Sequence, residues 1–194
     1  MSAVRLPRTP LIDTAIELGR HWCAGEIIDG SPAIGHALKV ARKVVEHVPD
    51  ASEDLVAAVI LHDSPFFAPN EIDLDAVLTE RLSPQVARIV RAIEREHDAL
   101  DNQLSPWVEI GQLDVMIASA ADKVVSIAAI LRRARRFADP AVFWVSRQAF
   151  VDRVSYFQAF ARAALPVLPS ALALELDLVL AAAIDATSAY RRDE

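Results

Sequence analysis

Residues 55–63 read LVAAVILHD, an unbroken apolar run that ends in a histidine and an acid. Ser52 stands before the run in an N-cap position and Asp54 stands in the following turn, so we predict a helix over residues 54–63. A helix that is apolar on nearly every side belongs at the centre of a hydrophobic core. The sequence therefore predicts a domain organised around this segment.

Helical patterns extend outward from this segment over almost the whole chain. Ser83 followed by Pro84 is typical of an N-cap and a first helical position. Glycine, proline and polar residues predict loops at 26–35, 64–70 and 97–111, and no strand is predicted. The predicted helices cover residues 14–24, 36–48, 54–63, 73–80, 83–96, 113–136, 141–165 and 170–190. We expect an all-α fold, a single-domain bundle of about seven or eight helices over residues 1–194.

The composition narrows the function classes. Of 194 residues, 53% are hydrophobic, which is enough for a core at this length. A net charge of −7 argues against a nucleic-acid-binding surface, whereas a small anionic substrate needs only a local cationic cluster. No apolar run reaches the roughly 18 residues of a membrane span, and the first ten residues lack a signal peptide's apolar segment. One cysteine, Cys23, fits a reducing compartment, so we expect a cytoplasmic protein.

Two acidic positions stand out chemically. His62 and Asp63 close the apolar helix, and Asp122 lies among alanines and valines on another predicted helix. Burying a carboxylate in such surroundings costs several kcal/mol unless a cation or hydrogen bonds compensate. A divalent metal is an efficient compensator, and imidazole with carboxylate is a suitable ligand set for it. His36 supplies a further imidazole from the start of a separate helix.

A structural interpretation of the same residues stays open at this point. A His-Asp pair at a helix end is often a C-terminal cap beside a solvent-facing acid. Asp122 could pair with Lys123 or Arg133 on a solvated face. The residues alone therefore leave both a metal site and ordinary helix polarity open.

The local context resembles a known family. Residues 30–41 (GSPAIGHALKVA), 55–63 and 120–124 (AADKV) are similar to the HD-domain superfamily, in the branch of RelA/SpoT-type (p)ppGpp hydrolases and their small stand-alone relatives. In that branch a Gly-x-Pro-x-x-x-His stretch, a His-Asp pair and a later aspartate supply the metal ligands. The resemblance covers about residues 13–185. It implies a helical bundle of the HD-domain type with His36, His62, Asp63 and Asp122 as ligands.

The resemblance also implies an activity. One divalent ion, manganese first and otherwise iron, nickel, zinc or magnesium, would lower the pKa of a bound water and polarise a phosphoryl group, leading to phosphoester hydrolysis. Lys123 matches the family's basic residue after the last ligand and is a candidate phosphate contact. Ser126 stands where the family has a sugar-contacting asparagine, and His21 lies on a helix that carries a histidine near the family's pocket. We predict these three as substrate-binding residues.

Departures from the family's pattern separate this chain from the (p)ppGpp hydrolases. Phe66 and Phe67 replace an acidic pair implicated in activating water, and neither can accept a proton. Ile27 and Ile28 stand near the place of a basic residue that stacks on guanine. We therefore do not expect efficient (p)ppGpp hydrolysis.

Two hypotheses follow from these departures. The chain hydrolyses another small, nucleotide-like phosphorylated molecule, with a base supplied by Glu71, Asp73 or His97. Alternatively it is a catalytically degenerate module that binds a nucleotide or a protein partner. The sequence makes no prediction of the oligomeric state.

Overall fold

A computed structural model describes residues 5–28, 30–102 and 112–190, and most of them lie in helices. In chain order the elements are α1 Pro10–Trp22, β1 Ile27–Ile28, β2 Ser31–Pro32, α2 Ala33–His47, α3 Glu53–Ile60, α4 Ser64–Phe67, α5 Leu74–Arg81, α6 Pro84–Asp101, α7 Leu113–Ala134, α8 Pro140–Val145, α9 Gln148–Asp152, α10 Val154–Ala164 and α11 Ser170–Thr187, followed by a 3₁₀ turn at Ser188–Tyr190. The all-α prediction is confirmed, apart from a short antiparallel pairing of Ile27 with Pro32 and Ile28 with Ser31 that was not predicted.

Helix α3 lies at the centre of the core, as its apolar sequence predicts. Every residue from Leu55 to Ile60 is buried. The helix packs against α1, α2 and α6. Gly19 allows the close approach of α1, because a Cβ at that position would lie 2.9 Å from Ile34 Cδ1 and 3.6 Å from the Ile60 carbonyl oxygen.

The two predicted serine caps are confirmed. Ser52 accepts a hydrogen bond from the Leu55 amide at 3.2 Å, and Ser83 accepts one from the Val86 amide at 3.1 Å. Ser83 also donates to Asp54 at 2.5 Å, which joins the beginnings of α3 and α6. Local capping therefore starts both helices, and the contact of Ser83 with Asp54 holds their first turns together.

Helix α7 forms a second layer over this centre. It packs against α2 on one side and α11 on another, and α10 packs against α11. Its buried residues are mostly alanine, valine and isoleucine, which permits close helix packing. The contact of α7 with α2, α3 and α6 brings four helices to one place, where the candidate site lies.

Several predicted boundaries are wrong in ways that matter for the site. Helix α3 ends at Ile60, so His62 and Asp63 lie in a turn after it. Helix α6 continues to Asp101, so the loop predicted from residue 97 begins later, and residues 103–111 lie outside the described part of the chain. The single helix predicted over 141–165 is divided into α8, α9 and α10. Among the described residues, no helix has both the length and the apolar character needed to cross a bilayer.

Candidate metal centre

Three separate elements bring two histidines and an aspartate together. His36 lies in the first turn of α2, His62 in the turn between α3 and α4, and Asp122 near the middle of α7. One potential ligand atom from each of these side chains lies within 4.8 Å of the other two. Residues that are 26 and 60 positions apart in sequence, counting from His36 to His62 and on to Asp122, are thus neighbours in space.

The distances between the ligand atoms suit a common ion. His36 Nε2 lies 2.9 Å from Asp122 Oδ1, and His62 Nε2 lies 3.7 Å from the same oxygen. Asp63 Oδ2 lies 3.2 Å from His62 Nε2. For an ion about 2.1 Å from each ligand atom, neighbouring ligand atoms stand about 3.0 Å apart at 90° and about 3.4 Å apart at the tetrahedral angle. His36, His62 and Asp122 therefore fit a divalent metal with only small adjustments. Asp63 lies next to His62 and is a further candidate ligand.

The orientation of His62 favours metal binding through Nε2. Its Nδ1 lies 2.7 Å from the Val59 carbonyl oxygen and donates a hydrogen bond to it. This contact fixes the tautomer, because a proton on Nδ1 leaves a lone pair on Nε2. A backbone carbonyl on the second ring nitrogen is the usual arrangement behind a metal-binding histidine.

Two buried polar atoms in the turn lack an ordinary partner. Among the described residues, neither His62 Nε2 nor Asp63 Oδ2 has a hydrogen bond, although both atoms are shielded from solvent. In the tautomer fixed by Val59, both atoms offer lone pairs and stand 3.2 Å apart. Two buried acceptors facing each other are unfavourable, since each loses its hydration without compensation. A cation between them removes this cost.

Asp122 is the anionic centre of the cluster. His36 Nε2 donates to Oδ1 at 2.9 Å, Ser126 donates to the same oxygen at 3.4 Å, and His97 Nε2 lies 3.5 Å from Oδ2. Burial by itself would raise the pKa of Asp122, but the hydrogen bonds of His36 and His97 outweigh it and hold the pKa well below its usual value. Asp122 is therefore a carboxylate throughout the neutral pH range.

His97 is the site residue that the loop prediction misplaced. It lies on α6, and its ring centroid is 5.7 Å from that of His62 and 6.2 Å from that of Phe66. Burial lowers the pKa of His97, but the Asp122 carboxylate more than compensates and the pKa is raised. The helical recurrence of Val86, Val90 and Ile93, extended by one turn, reaches position 97 and is the signal that could have located it.

Lys123 and Ser126 lie beside the cluster with different surroundings. The Lys123 ammonium is buried and lies 2.6 Å from Glu96 Oε2, so its charge is already matched by an anion. Ser126 reaches Asp122 directly. Their substrate-binding roles stay predictions, and for Lys123 a phosphate contact would require a change in the pair with Glu96.

The other predicted residues lie apart from the cluster. His21 is exposed at the end of α1. Glu71 is exposed, and Asp73 caps α5 by accepting from the Ala76 amide at 3.0 Å. Phe66, in contrast, is half exposed next to His97. Of the three candidate bases, only His97 therefore contacts the described cluster.

Comparison with known proteins adds no family assignment. No protein-family model matches the chain, and no curated protein sequence matches it. The HD-type assignment stays a prediction that depends on the quoted motifs and on the cluster geometry.

Proposed function

We propose that this chain is a metal-dependent phosphohydrolase of the HD superfamily that acts on a small phosphorylated molecule. One divalent ion would be bound by His36, His62, Asp63 and Asp122, with manganese expected first and iron, nickel, zinc or magnesium as alternatives. The observation that carries the proposal is the meeting of His36, His62 and Asp122 in space. Beside it, His62 Nε2 and Asp63 Oδ2 are buried and unbonded among the described residues. Histidines that only form hydrogen bonds would not leave these two buried acceptor atoms without a partner.

The accessibility of the cluster supports a reaction at its outer side. The His36 and His62 side chains are 5% and 2% exposed, whereas those of Asp63 and Asp122 are 14% and 13% exposed. The imidazoles therefore form the floor and the carboxylates form the side open to solvent. A small substrate could reach an ion held there, while the protein side chains that bind the ion stay packed.

The chain's own residues would position the reacting groups. A bound divalent ion would supply a water of lowered pKa and polarise a phosphoryl oxygen. Val59 fixes the His62 ring, and Ser126 donates to the Asp122 carboxylate. His97 lies against the same carboxylate, where its imidazole could exchange a proton with a substrate.

Phe66 argues against (p)ppGpp as the substrate and supports a second candidate function. Its ring is half exposed beside His97, where the resembled hydrolases carry a carboxylate. An aromatic ring there can contact a ligand but cannot take up a proton. The second candidate is therefore a non-catalytic module of the same fold that binds a nucleotide or a protein.

A combined metal and turnover assay distinguishes the two. The purified protein would be analysed for bound metal and then incubated with Mn²⁺ and a panel of phosphoesters that includes (p)ppGpp and NADPH. We expect hydrolysis of at least one small phosphoester, and its loss in Asp63→Ala. Asp177→Ala, which changes an exposed aspartate on α11, is the matched control and should behave as the unchanged protein.

Each alternative outcome has a definite meaning. Bound metal with no turnover of any ester would favour the binding module. Failure to bind a divalent metal at all would refute the proposed site.

A further inference from the structure

A small cavity opens directly beside Asp122. Its volume is about 150 Å³. Asp122, Ser126 and Ile130 line it from one face of α7, at intervals of four residues. Eight residues of α-helix rise by about 12 Å, so the lining residues of α7 extend over about that length. Asp122 belongs both to this lining and to the candidate metal centre, so the cavity and the centre are neighbours.

Half of the residues that line this cavity are apolar or aromatic, and the other half are charged or polar. Leu100 contributes from α6, Phe150 from α9 and Phe157 from α10. The centroids of the Phe150 and Phe157 rings are 5.8 Å apart and the rings are inclined at 48°. Tilted rings at this distance offer both an edge and a face to a third ring.

The charged residues at the cavity are already paired. Lys123 lies 2.6 Å from Glu96, and Arg153 donates to Asp101 at 2.8 Å. Neither cation therefore needs an anionic partner from a ligand. The cavity away from Asp122 favours an uncharged group, because a charged one would lose its hydration without a new partner.

The volume of the cavity, about 150 Å³, has room for one ring. A protein cavity of about 150 Å³ lined by leucine, isoleucine and phenylalanine is known to hold a benzene molecule. A purine, or a base with its sugar, needs considerably more space. The apolar part of the lining and the volume thus point to a single six-membered ring.

We propose that this cavity binds the organic part of the substrate, and that the preferred substrates are phosphomonoesters of a single uncharged ring. The phosphate would lie at the metal and the ring would extend along α7 between Leu100, Phe150 and Phe157. This inference rests on the proposed function, since it places the phosphate on the ion of the same site. It narrows the class of phosphoester from nucleotide-like molecules to monocyclic ones.

Binding of phosphonates tests the proposal without turnover, because their C–P bond is not hydrolysed. Calorimetry on Mn²⁺-loaded protein would compare methylphosphonate, phenylphosphonate and 1-naphthylphosphonate. Burial of one aromatic ring should make phenylphosphonate bind roughly 10- to 100-fold more tightly than methylphosphonate. The naphthyl compound should lose that advantage, because its second ring exceeds the cavity.

Two substitutions of Ile130 change the cavity in opposite directions. Ile130→Phe fills it and should reduce phenylphosphonate affinity to the level of methylphosphonate. Ile130→Ala enlarges it and should raise the affinity for naphthylphosphonate. Ile127→Ala is the matched control, since Ile127 is buried on the same helix but does not line the cavity. Circular dichroism of each variant would verify folding.

The outcomes separate this inference from the proposed function. Equal affinity for methyl- and phenylphosphonate, or no response to either Ile130 variant, would overturn the cavity assignment, and hydrolysis of any small phosphoester would leave the proposed function standing. Tight phenylphosphonate binding without turnover of phenyl phosphate would support the cavity assignment and refute the proposed hydrolase activity. Protein that takes up no metal would overturn both.

Discussion

Replacement of Glu96 by glutamine tests the buried pair next to the candidate metal centre. Glu96 and Lys123 are 1% and 2% exposed, and their charged atoms are 2.6 Å apart. The Tyr156 hydroxyl donates to Glu96 Oε1 at 2.6 Å. Burial, with the Glu96 charge, raises the pKa of Tyr156, so the hydroxyl stays a donor. Glu96→Gln keeps an acceptor for Tyr156 and the side-chain shape, but it leaves the Lys123 ammonium buried without an anion.

The expected loss of stability is large. Breaking a buried ion pair by removal of one partner costs about 3–5 kcal/mol, because the remaining charge is uncompensated. In a domain of this size, 1 kcal/mol corresponds to about 2–4 °C in Tm, so Tm should fall by about 6–20 °C. Urea denaturation followed by circular dichroism would measure the free energy of unfolding. Glu94→Gln, which breaks a surface pair of α6 with Arg91, is the matched control and should cost less than about 1 kcal/mol.

A double variant completes the cycle. Glu96→Gln combined with Lys123→Met has no buried charge, and methionine can pack against the Phe160 ring, over which the ammonium now lies at 4.3 Å. We expect the double variant to recover most of the stability that Glu96→Gln loses, because neutral groups can replace a buried pair at little cost. A loss below about 1 kcal/mol for Glu96→Gln, or additive losses in the double variant, would refute this reasoning.

Three further predictions follow from the described contacts. Mn²⁺ at 100 times its Kd should add about 2.7 kcal/mol to the free energy of unfolding, a rise of about 5–11 °C in Tm, and EDTA should reverse it. If Mn²⁺ raises the Tm of Asp122→Asn as much as that of the unchanged protein, the ligand assignment is wrong. Burial opposes ionisation of Glu175, but hydrogen bonds from Lys43 and His47 lower its pKa. The Glu175 carboxylate therefore contributes its full share to the free energy of unfolding above about pH 4.3, and this share disappears as the pH falls through the lower folded-state pKa. Denaturation curves of Glu175→Gln should differ from the unchanged protein at pH 7 and converge with it in acid. Burial, with the charges of nearby acids, raises the pKa of Cys23 to about 11. A thiol-specific reagent at pH 8 should therefore label the native protein slowly and the unfolded protein rapidly. Rapid labelling of the native protein would show that the thiol is not protected.

Much of the helical framework follows from short-range signals. The apolar run of α3 predicts its central position, and Ser52 and Ser83 predict where two helices begin, because capping and periodicity act within a few residues. The sequence also indicates which polar side chains are out of place in a core. Asp122, which lies among small apolar residues, is the clearest of these. The structure shows that the side chains of His36 and His62 lie next to it.

What the sequence by itself determined is therefore most of the helical framework and the two serine caps, and it pointed to His36, His62 and Asp122, which the structure brings together. Only the tertiary structure decided that His97 reaches Asp122 from a longer α6, that Lys123 is matched by Glu96, and that a cavity lies beside Asp122. The physical reason is the different range of the interactions along the sequence. Helix formation depends on neighbours three or four positions away, whereas these contacts depend on how α6, α7 and the C-terminal helices pack, and no local pattern encodes that packing.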